Sequence, residues 1–390
     1  MRLSIPLMLG TALLFGQCQP TIETPQATTA QARVGANLLT LYPNGIPALA
    51  KGINLSSWFG QGANPAQYGT RFGTSAFTQI KSLGFTHVRI PISPTNLFDE
   101  ANPGVLKASV LTSLVTGVDR AIAAGLAVVL DPIHANGDSD FENKLANDPA
   151  FLPKAQAYWT AIATQFASRP TDKVFFEIMN EPHMAGPAGW YQSVQASLIS
   201  SVQAVAPNHI ILATAYDWSS LDALLAVTPT DKSVVWNFHY YSPMVFTHQG
   251  ASWVTPPFLQ IKNVPYPSTP TNVLTAYNAA TDPTAKNYIQ YYGSERWGAA
   301  KVAADLGRIV TWARNNGVLI TCNEFGVYKT FAPATSRKAW ITDVRKTFDT
   351  NKIGWSMWEY DEGFGLVTYK DPANRTGVVV DRNIRTALGL

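Results

Sequence analysis

Apolar positions along the chain fall into two alternating rhythms. One has the three-to-four spacing of amphipathic helices: Leu111, Leu114, Val115, Val118 and Ile122 share a face, as do Tyr158, Trp159, Ile162 and Phe166, and Val302, Leu306, Ile309, Val310 and Ala313. The other is a set of short β-rich runs. These follow a helix that ends at glycine: Leu83-Gly84 leads into 86–90, Ala124-Gly125 into 127–131 and Asn316-Gly317 into 318–324. Glycine at a helix C-terminus supplies the left-handed residue that turns the chain into the next strand. Eight strands are predicted, near 48–54, 86–90, 127–131, 174–179, 209–213, 233–238, 318–323 and 353–358. Eightfold strand–helix alternation predicts α/β class, a single (β/α)8 TIM barrel of parallel strands. An open doubly wound sheet fits the alternation too, but no Gly-rich nucleotide loop follows the first strand.

One connection breaks the rhythm. Strands six and seven are separated by about eighty residues, of which 240–296 read as a long loop rich in Pro, Tyr and Trp. Such loops in compact domains usually serve a function, so this one is expected to wall one side of a cleft on the barrel's active face. The N-terminus also stands apart. A short positive start and the apolar run Leu3–Phe15 read as an export signal over 1–18, too short to span a bilayer as a mature helix. Cys18 follows as in a bacterial lipoprotein signal, but Gln17 stands where a small residue is usual, so lipid anchoring and ordinary secretion both fit. Residues 19–40 read as a flexible leader or tether, and 41–390 as the catalytic domain.

Composition narrows the partners. A net charge of +3 with no Lys/Arg run argues against nucleic acid. The 11 Trp and 15 Tyr suit a surface that stacks on the flat C–H faces of sugars, although most such residues pack in cores. Cys322 is the only other cysteine, in a predicted strand, and reads as a small buried hydrophobe. A monomer is expected, secreted, periplasmic or anchored to the outer membrane through Cys18.

Side chains at the C-terminal ends of barrel strands share one mouth. Strand two brings Arg89, and strand three brings Asp131 and His134. Strand four brings Asn180 and Glu181, and strand six His239, Tyr240 and Tyr241. Strand seven brings Asn323 and Glu324, and strand eight Trp355, Trp358 and Glu359. Two glutamates facing each other across a mouth supply what glycoside hydrolysis needs: an acid for the leaving oxygen, and a carboxylate that attacks or activates water. Trp355 and Trp358 point to opposite sides of their strand, and Trp358 is expected on the cleft side. Asp131, His134, His239 and Asp361 lack the clustered spacing of a metal site, so no metal and no cofactor are expected.

The run Phe-Glu-Ile-Met-Asn-Glu-Pro-His (176–183) resembles the Asn-Glu-Pro signature of glycoside hydrolase family 5, the cellulase family. In the same order, Lys51-Gly-Ile-Asn-Leu, Gly84–Pro91, His239-Tyr-Tyr, Asn323-Glu324-Phe-Gly and Gly354-Trp-Ser-Met-Trp resemble the family's other strand ends, together covering about 48–360. The resemblance implies a retaining double displacement with Glu181 as acid/base and Glu324 as nucleophile. It implies that Arg89 and Tyr241 bond Glu324, that Asn180 binds the sugar 2-hydroxyl, and that His239 lies beside Glu181. His134 would touch substrate near the cleavage point, with Trp358 as the stacking floor. The expected substrate is a β-1,4-glucan cut internally. The family's β-mannanases, xyloglucanases and β-1,3-glucanases stand as alternatives, and a non-catalytic glycan-binding barrel is the rival from another class.

Overall fold

The computed structural model describes residues 35–60, 62–134, 139–183 and 189–390. The expected export signal, Cys18 and most of the expected leader lie outside the described residues. Eight parallel strands close into a barrel in sequence order: β1 (Lys51–Asn54), β2 (His87–Pro91), β3 (Ala127–Asp131), β4 (Val174–Glu177), β5 (Ile211–Thr214), β6 (Val234–Tyr240), β7 (Leu319–Phe325) and β8 (Gly354–Met357). β8 closes onto β1 through Lys51↔Trp355 and Ile53↔Met357. The glycines that end the preceding helices are left-handed as expected, with φ of 104° at Gly84, 84° at Gly125 and 65° at Gly317.

Strand alternation sorts the side chains. On β3, Val128 and Leu130 join the large apolar layer between barrel and helices, and Val129 turns inward. At the barrel's lower end the inward residues are apolar: Ala127, Val129, Phe175, Leu212, Val235 and Leu319 form one buried cluster. Leu38, Ile46 and Leu49 plug it from below, and the Leu38 N–H donates to the Lys232 carbonyl at 3.0 Å. A helical turn, Leu38–Leu41, thus occupies the end of the stretch expected as tether.

The connection between β6 and β7 differs from the expected loop. It holds short helices at Met244–Thr247 and Leu274–Ala279, a 3-10 turn at Pro256–Gln260 and a longer helix at Pro283–Glu295. Asp282 caps the last of these, accepting from the Ala285 N–H at 2.8 Å, with Pro283 at the first helical position. Dense proline hid this order, because it breaks the periodicity by which helices are recognised while still starting them. After β8 the chain adds an antiparallel hairpin, β9 (Val367–Asp371) with β10 (Thr376–Val380). No helix among the described residues is long and apolar enough to cross a membrane.

Candidate active site

Higher in the barrel the inward positions become polar. Arg89, Glu177, Asn237 and Asn323 are fully buried there, one residue pair above the apolar layer. Arg89 is the hub. Its Nε and Nη2 donate to the two oxygens of Glu177, both at 2.8 Å. Nη1 reaches Asn54 Oδ1 at 2.9 Å and Glu324 Oε1 at 2.7 Å, and Nη2 also reaches Asp131 and Asn180 Oδ1. Burial opposes the guanidinium's charge, but Glu177, Asp131 and Glu324 outweigh it and hold Arg89 protonated well above its ordinary range.

Glu324 is aimed by an irregularity. Along β6 and β7 the register runs Phe238↔Cys322 and then His239↔Glu324, so Asn323 is an extra residue. A bulge of this kind re-aims the following side chain. Both Asn323 and Glu324 therefore serve the interior: Asn323 Nδ2 donates to Glu177 at 2.5 Å, and Glu324 receives Arg89 on one oxygen and the Tyr241 hydroxyl, at 2.9 Å, on the other. Burial and Glu324 together hold the Tyr241 phenol protonated, well above its usual range, so it remains a donor.

Glu181 stands opposite, its Oε1 2.7 Å from His239 Nδ1, which is itself 3.6 Å from Glu324 Oε2. One oxygen of Glu181, one of Glu324 and a His239 nitrogen all lie within 4.8 Å of one another. Burial pushes His239 down to about 4, so the ring is neutral at neutral pH and can accept a proton-bearing carboxyl. The same three groups are, among the described residues, the set spaced to hold a metal ion, a grouping the sequence did not suggest because the ligands come from three separate strands.

His134 Nδ1 lies 2.9 Å from Asp131 Oδ2, and its ring runs nearly parallel to Trp358 at 5.8 Å between centroids. Burial raises the Asp131 carboxyl to about 7, against the pull of Arg89 and with help from Glu181. Trp355 is fully buried against Phe325 and Phe85, whereas Trp358 is half-buried on the cleft side. Gly326 permits this: a Cβ there would come within 2.2 Å of the Trp358 carbonyl oxygen. Three buried polar atoms around the mouth, Asn180 Nδ2, Asp131 Oδ1 and His239 Nε2, have no partner among the described residues. Such atoms are costly unless something completes them, and the hydroxyls of a sugar carry both donors and acceptors.

The structure thus gathers Arg89, His134, Asn180, Glu181, His239, Tyr241, Glu324 and Trp358 at one mouth. Residues 43–363 match the family described as cellulase, glycosyl hydrolase family 5. The chain belongs to glycosyl hydrolase family 5. It is therefore a glycoside hydrolase on a (β/α)8 barrel. It is 27% identical to Endoglucanase 3 of Fibrobacter succinogenes over 89% of its own length, and spans 54% of that longer protein. It is 26% identical to Cellodextrinase A of Ruminococcus flavefaciens, over 78% of this chain and 83% of that one. In structure it resembles the endoglucanase Cel5A of Thermotoga maritima, with a TM-score of 0.71 at 24% identity, covering 89% and 99% of the two chains.

One residue of this family 5 site, Glu177, has no role legible in the sequence, and others named there take their partners only in the structure. Glu177 lies inside the recognised motif, but only its two-sided grip on Arg89 and its contacts to Asn237 and Asn323 reveal its work. Alternation could have found it, since it is the inward neighbour of Phe176 on a strand otherwise apolar. Glu359 is buried next to Trp358, bonded to the Ser56 hydroxyl and the Phe364 N–H, and burial raises it to about 7. Asp361, weighed as a metal ligand, is instead held between Arg71 and Arg375 and accepts from the Tyr369 hydroxyl. Cys322 is buried, as expected, with its thiol toward the Glu324 carbonyl.

Proposed function

We propose that this protein is a retaining endo-β-1,4-glucanase. Glu324 attacks the anomeric carbon while Glu181 protonates the departing oxygen, and Glu181 then activates the water that frees the glycosyl-enzyme. The observation that carries the reading is the closeness of the two carboxylates, whose oxygens approach within 4.8 Å. Retaining enzymes keep their carboxyl groups roughly 5 Å apart, whereas an inverting enzyme leaves room for a water, at about 6.5–9.5 Å. Asymmetry of environment supports the division of labour. Glu324 receives hydrogen bonds from an arginine and a phenol, whereas Glu181 faces an imidazole that burial keeps neutral. Asn180, fixed by Arg89 through its oxygen, keeps its NH2 group for a sugar hydroxyl beside the reacting carbon. The names of the relatives, endoglucanase and cellodextrinase, favour a β-1,4-glucan over the family's other substrates.

The test is reducing-sugar release from carboxymethyl-cellulose, with the anomeric form of the first product followed by NMR. Wild-type enzyme should release the β-anomer first, and Glu324→Ala should release almost nothing. Initial release of the α-anomer would overturn the mechanism, and binding without turnover would favour a glycan-binding barrel. The same proposal takes 1–18 as an export signal and 41–390 as a monomeric catalytic domain working outside the cytoplasm. Fatty-acid labelling that depends on Cys18 would distinguish a lipid-anchored form from a freely secreted one.

A further inference from the structure

The connection between β6 and β7 has an unusual surface. Six of the ten large hydrophobic side chains that stand exposed among the described residues belong to it: Met244, Trp253, Leu259, Leu274, Tyr288 and Tyr291. Charge is scarce there. Residues 250–294 carry Lys262, Asp282 and Lys286 alone, in a chain that is 14% charged. Each of the three is engaged: Lys262 lies over the Phe331 ring at 4.5 Å, Lys286 over Tyr277 at 5.2 Å, and Asp282 caps its helix. The next helix, Ala299–Asn316, shows the ordinary pattern and exposes Arg308 and Arg314.

The helix Pro283–Glu295 carries the barest part of this surface. Its solvent face presents Thr284, Asn287, Tyr288, Tyr291 and Ser294 at helical spacing, with Tyr288 39% and Tyr291 67% exposed. Two phenol rings, an amide and two hydroxyls make up the face, which is itself uncharged. The helix is firmly seated. Tyr288 packs on Phe258 at 5.8 Å between centroids, and Gln260 Oε1 accepts from the Thr281 and Asp282 N–H groups, both at 2.8 Å. On its inner side the Tyr292 hydroxyl donates to the Pro265 carbonyl at 2.7 Å. The same packing is continuous with the cleft. The Gly250 N–H donates to the Phe258 carbonyl at 2.9 Å, and His248, two residues earlier, packs edge-on against Tyr241 at 4.9 Å.

We propose that this tyrosine-bearing face is a second binding surface for a neutral glucan chain, outside the cleft, which holds the polymer while the cleft cuts it. The proposal rests on the glucan reading above. The chemistry of the face selects the occupant. Pyranose rings offer flat C–H faces to phenol rings and hydroxyls to amides, and they bring no charge of their own. Covering a charged side chain with a neutral partner costs desolvation that nothing returns, so a face for neutral sugar is best left without charge. A protein partner would instead favour a continuous apolar centre inside a charged rim, and here the two rings are set among amides and hydroxyls. A chain long enough to reach both surfaces is held twice, so the gain belongs to polymers and not to short substrates.

The experiment compares hydroxyethyl-cellulose, a neutral polymer, with 4-nitrophenyl β-cellobioside, which fits the cleft alone. In the double variant Tyr288→Ala, Tyr291→Ala, KM on the polymer should rise about fivefold, the loss of two ring contacts. Its kcat, and both constants on the cellobioside, should stay as in wild type. Alanine is a good helix residue, so the fold should hold, and Phe at both positions should restore most of the polymer KM. In native gels cast with hydroxyethyl-cellulose, Glu324→Ala should be retarded, and less so when the two tyrosines are also replaced. Unchanged polymer KM and unchanged mobility overturn the proposal, as does an equal loss on both substrates, which would place the rings in the cleft. A wild-type dimer in sedimentation that the double variant loses also overturns it, assigning the face to a second copy of the chain. All three outcomes leave wild-type turnover intact; a wild type that cleaves neither substrate overturns the glucan reading as well.

Discussion

The two ends of the barrel interior use the same strands for opposite purposes. At the lower end the inward positions of β3 to β7 carry Val129, Phe175, Leu212, Val235 and Leu319, plugged by Leu38. Two residues further along the same strands stand Asp131, Glu177, Thr214 and Asn237, all fully buried, with Asn323 one turn of the pleat above Thr321. The lower layer gains stability by removing apolar surface from water. The upper layer crowds Asp131, Glu177 and Glu324 around the one guanidinium of Arg89 and leaves three polar atoms uncompleted. Burying charge in this way costs folding free energy and yields electrostatic preorganisation instead. The lesson is that one strand can hold up the fold at its start and carry the chemistry at its end.

Substitutions along a single strand can break this contrast. Glu324→Ala should lower kcat/KM on the order of 10⁴-fold or more while leaving Tm within a few degrees. A large fall in Tm would place Glu324 among the supports of the fold. Glu177→Ala should show the mixed behaviour of a residue beneath the site. It should cost about 3–5 kcal/mol in denaturant titrations, since a buried guanidinium loses its two-oxygen partner. Its kcat should fall about 10²-fold as Glu324 loses its register. Glu177→Gln should recover part of the stability by keeping the shape. Leu212→Ala, in the lower layer, should cost about 2–5 kcal/mol with kcat of the folded enzyme unchanged. Lost activity without lost stability there would contradict the division.

Titration sharpens the comparison with a smaller effect. His87, buried lower in the barrel with Nε2 2.7 Å from the Ser356 hydroxyl, is pushed down to about 3 by burial, and the cleft's His134 and His239 to about 4. Below the ordinary histidine value the unfolded chain binds these protons and the folded one does not. Stability should therefore fall as pH drops from about 6.5 toward 4, by up to about 1.4 kcal/mol per pH unit for each such histidine. Asp131 and Glu359 act in reverse. Raised to about 7, they contribute fully below the ordinary carboxyl value and lose that contribution as pH rises through 7. Thermal melts across pH 4–8 should show His87→Gln removing part of the loss toward acid, and Glu359→Gln removing the opposing loss as pH rises from 4.5 to about 7; unchanged slopes would sink the assignment. Least of all should chelation matter. Hydrolysis should survive exhaustive EDTA treatment, and its loss would mean that Glu181, His239 and Glu324 hold an ion at work.

Local chemistry by itself determined a great deal about this chain. Helical faces, left-handed glycines at their ends and short β-rich runs pointed to eight alternating strands, and the absence of a Gly-rich loop after the first strand favoured a barrel over an open sheet. Because barrel strands end in one mouth, the strand-end residues Arg89, Asn180, Glu181, His239, Tyr241 and Glu324 were nameable before any coordinate. Only the tertiary structure could decide what depends on juxtaposition. The two-oxygen grip of Glu177 on Arg89, 88 positions apart, has no local signature. Nor have the extra residue that turns Glu324 inward, the helices hidden in the proline-rich connection, or the left-handed backbone of 217–219. Periodicity records which side of an element is apolar. It carries no information on which polar groups meet across the barrel, and that meeting sets the charge, the strain and the open hydrogen bonds from which the chemistry follows.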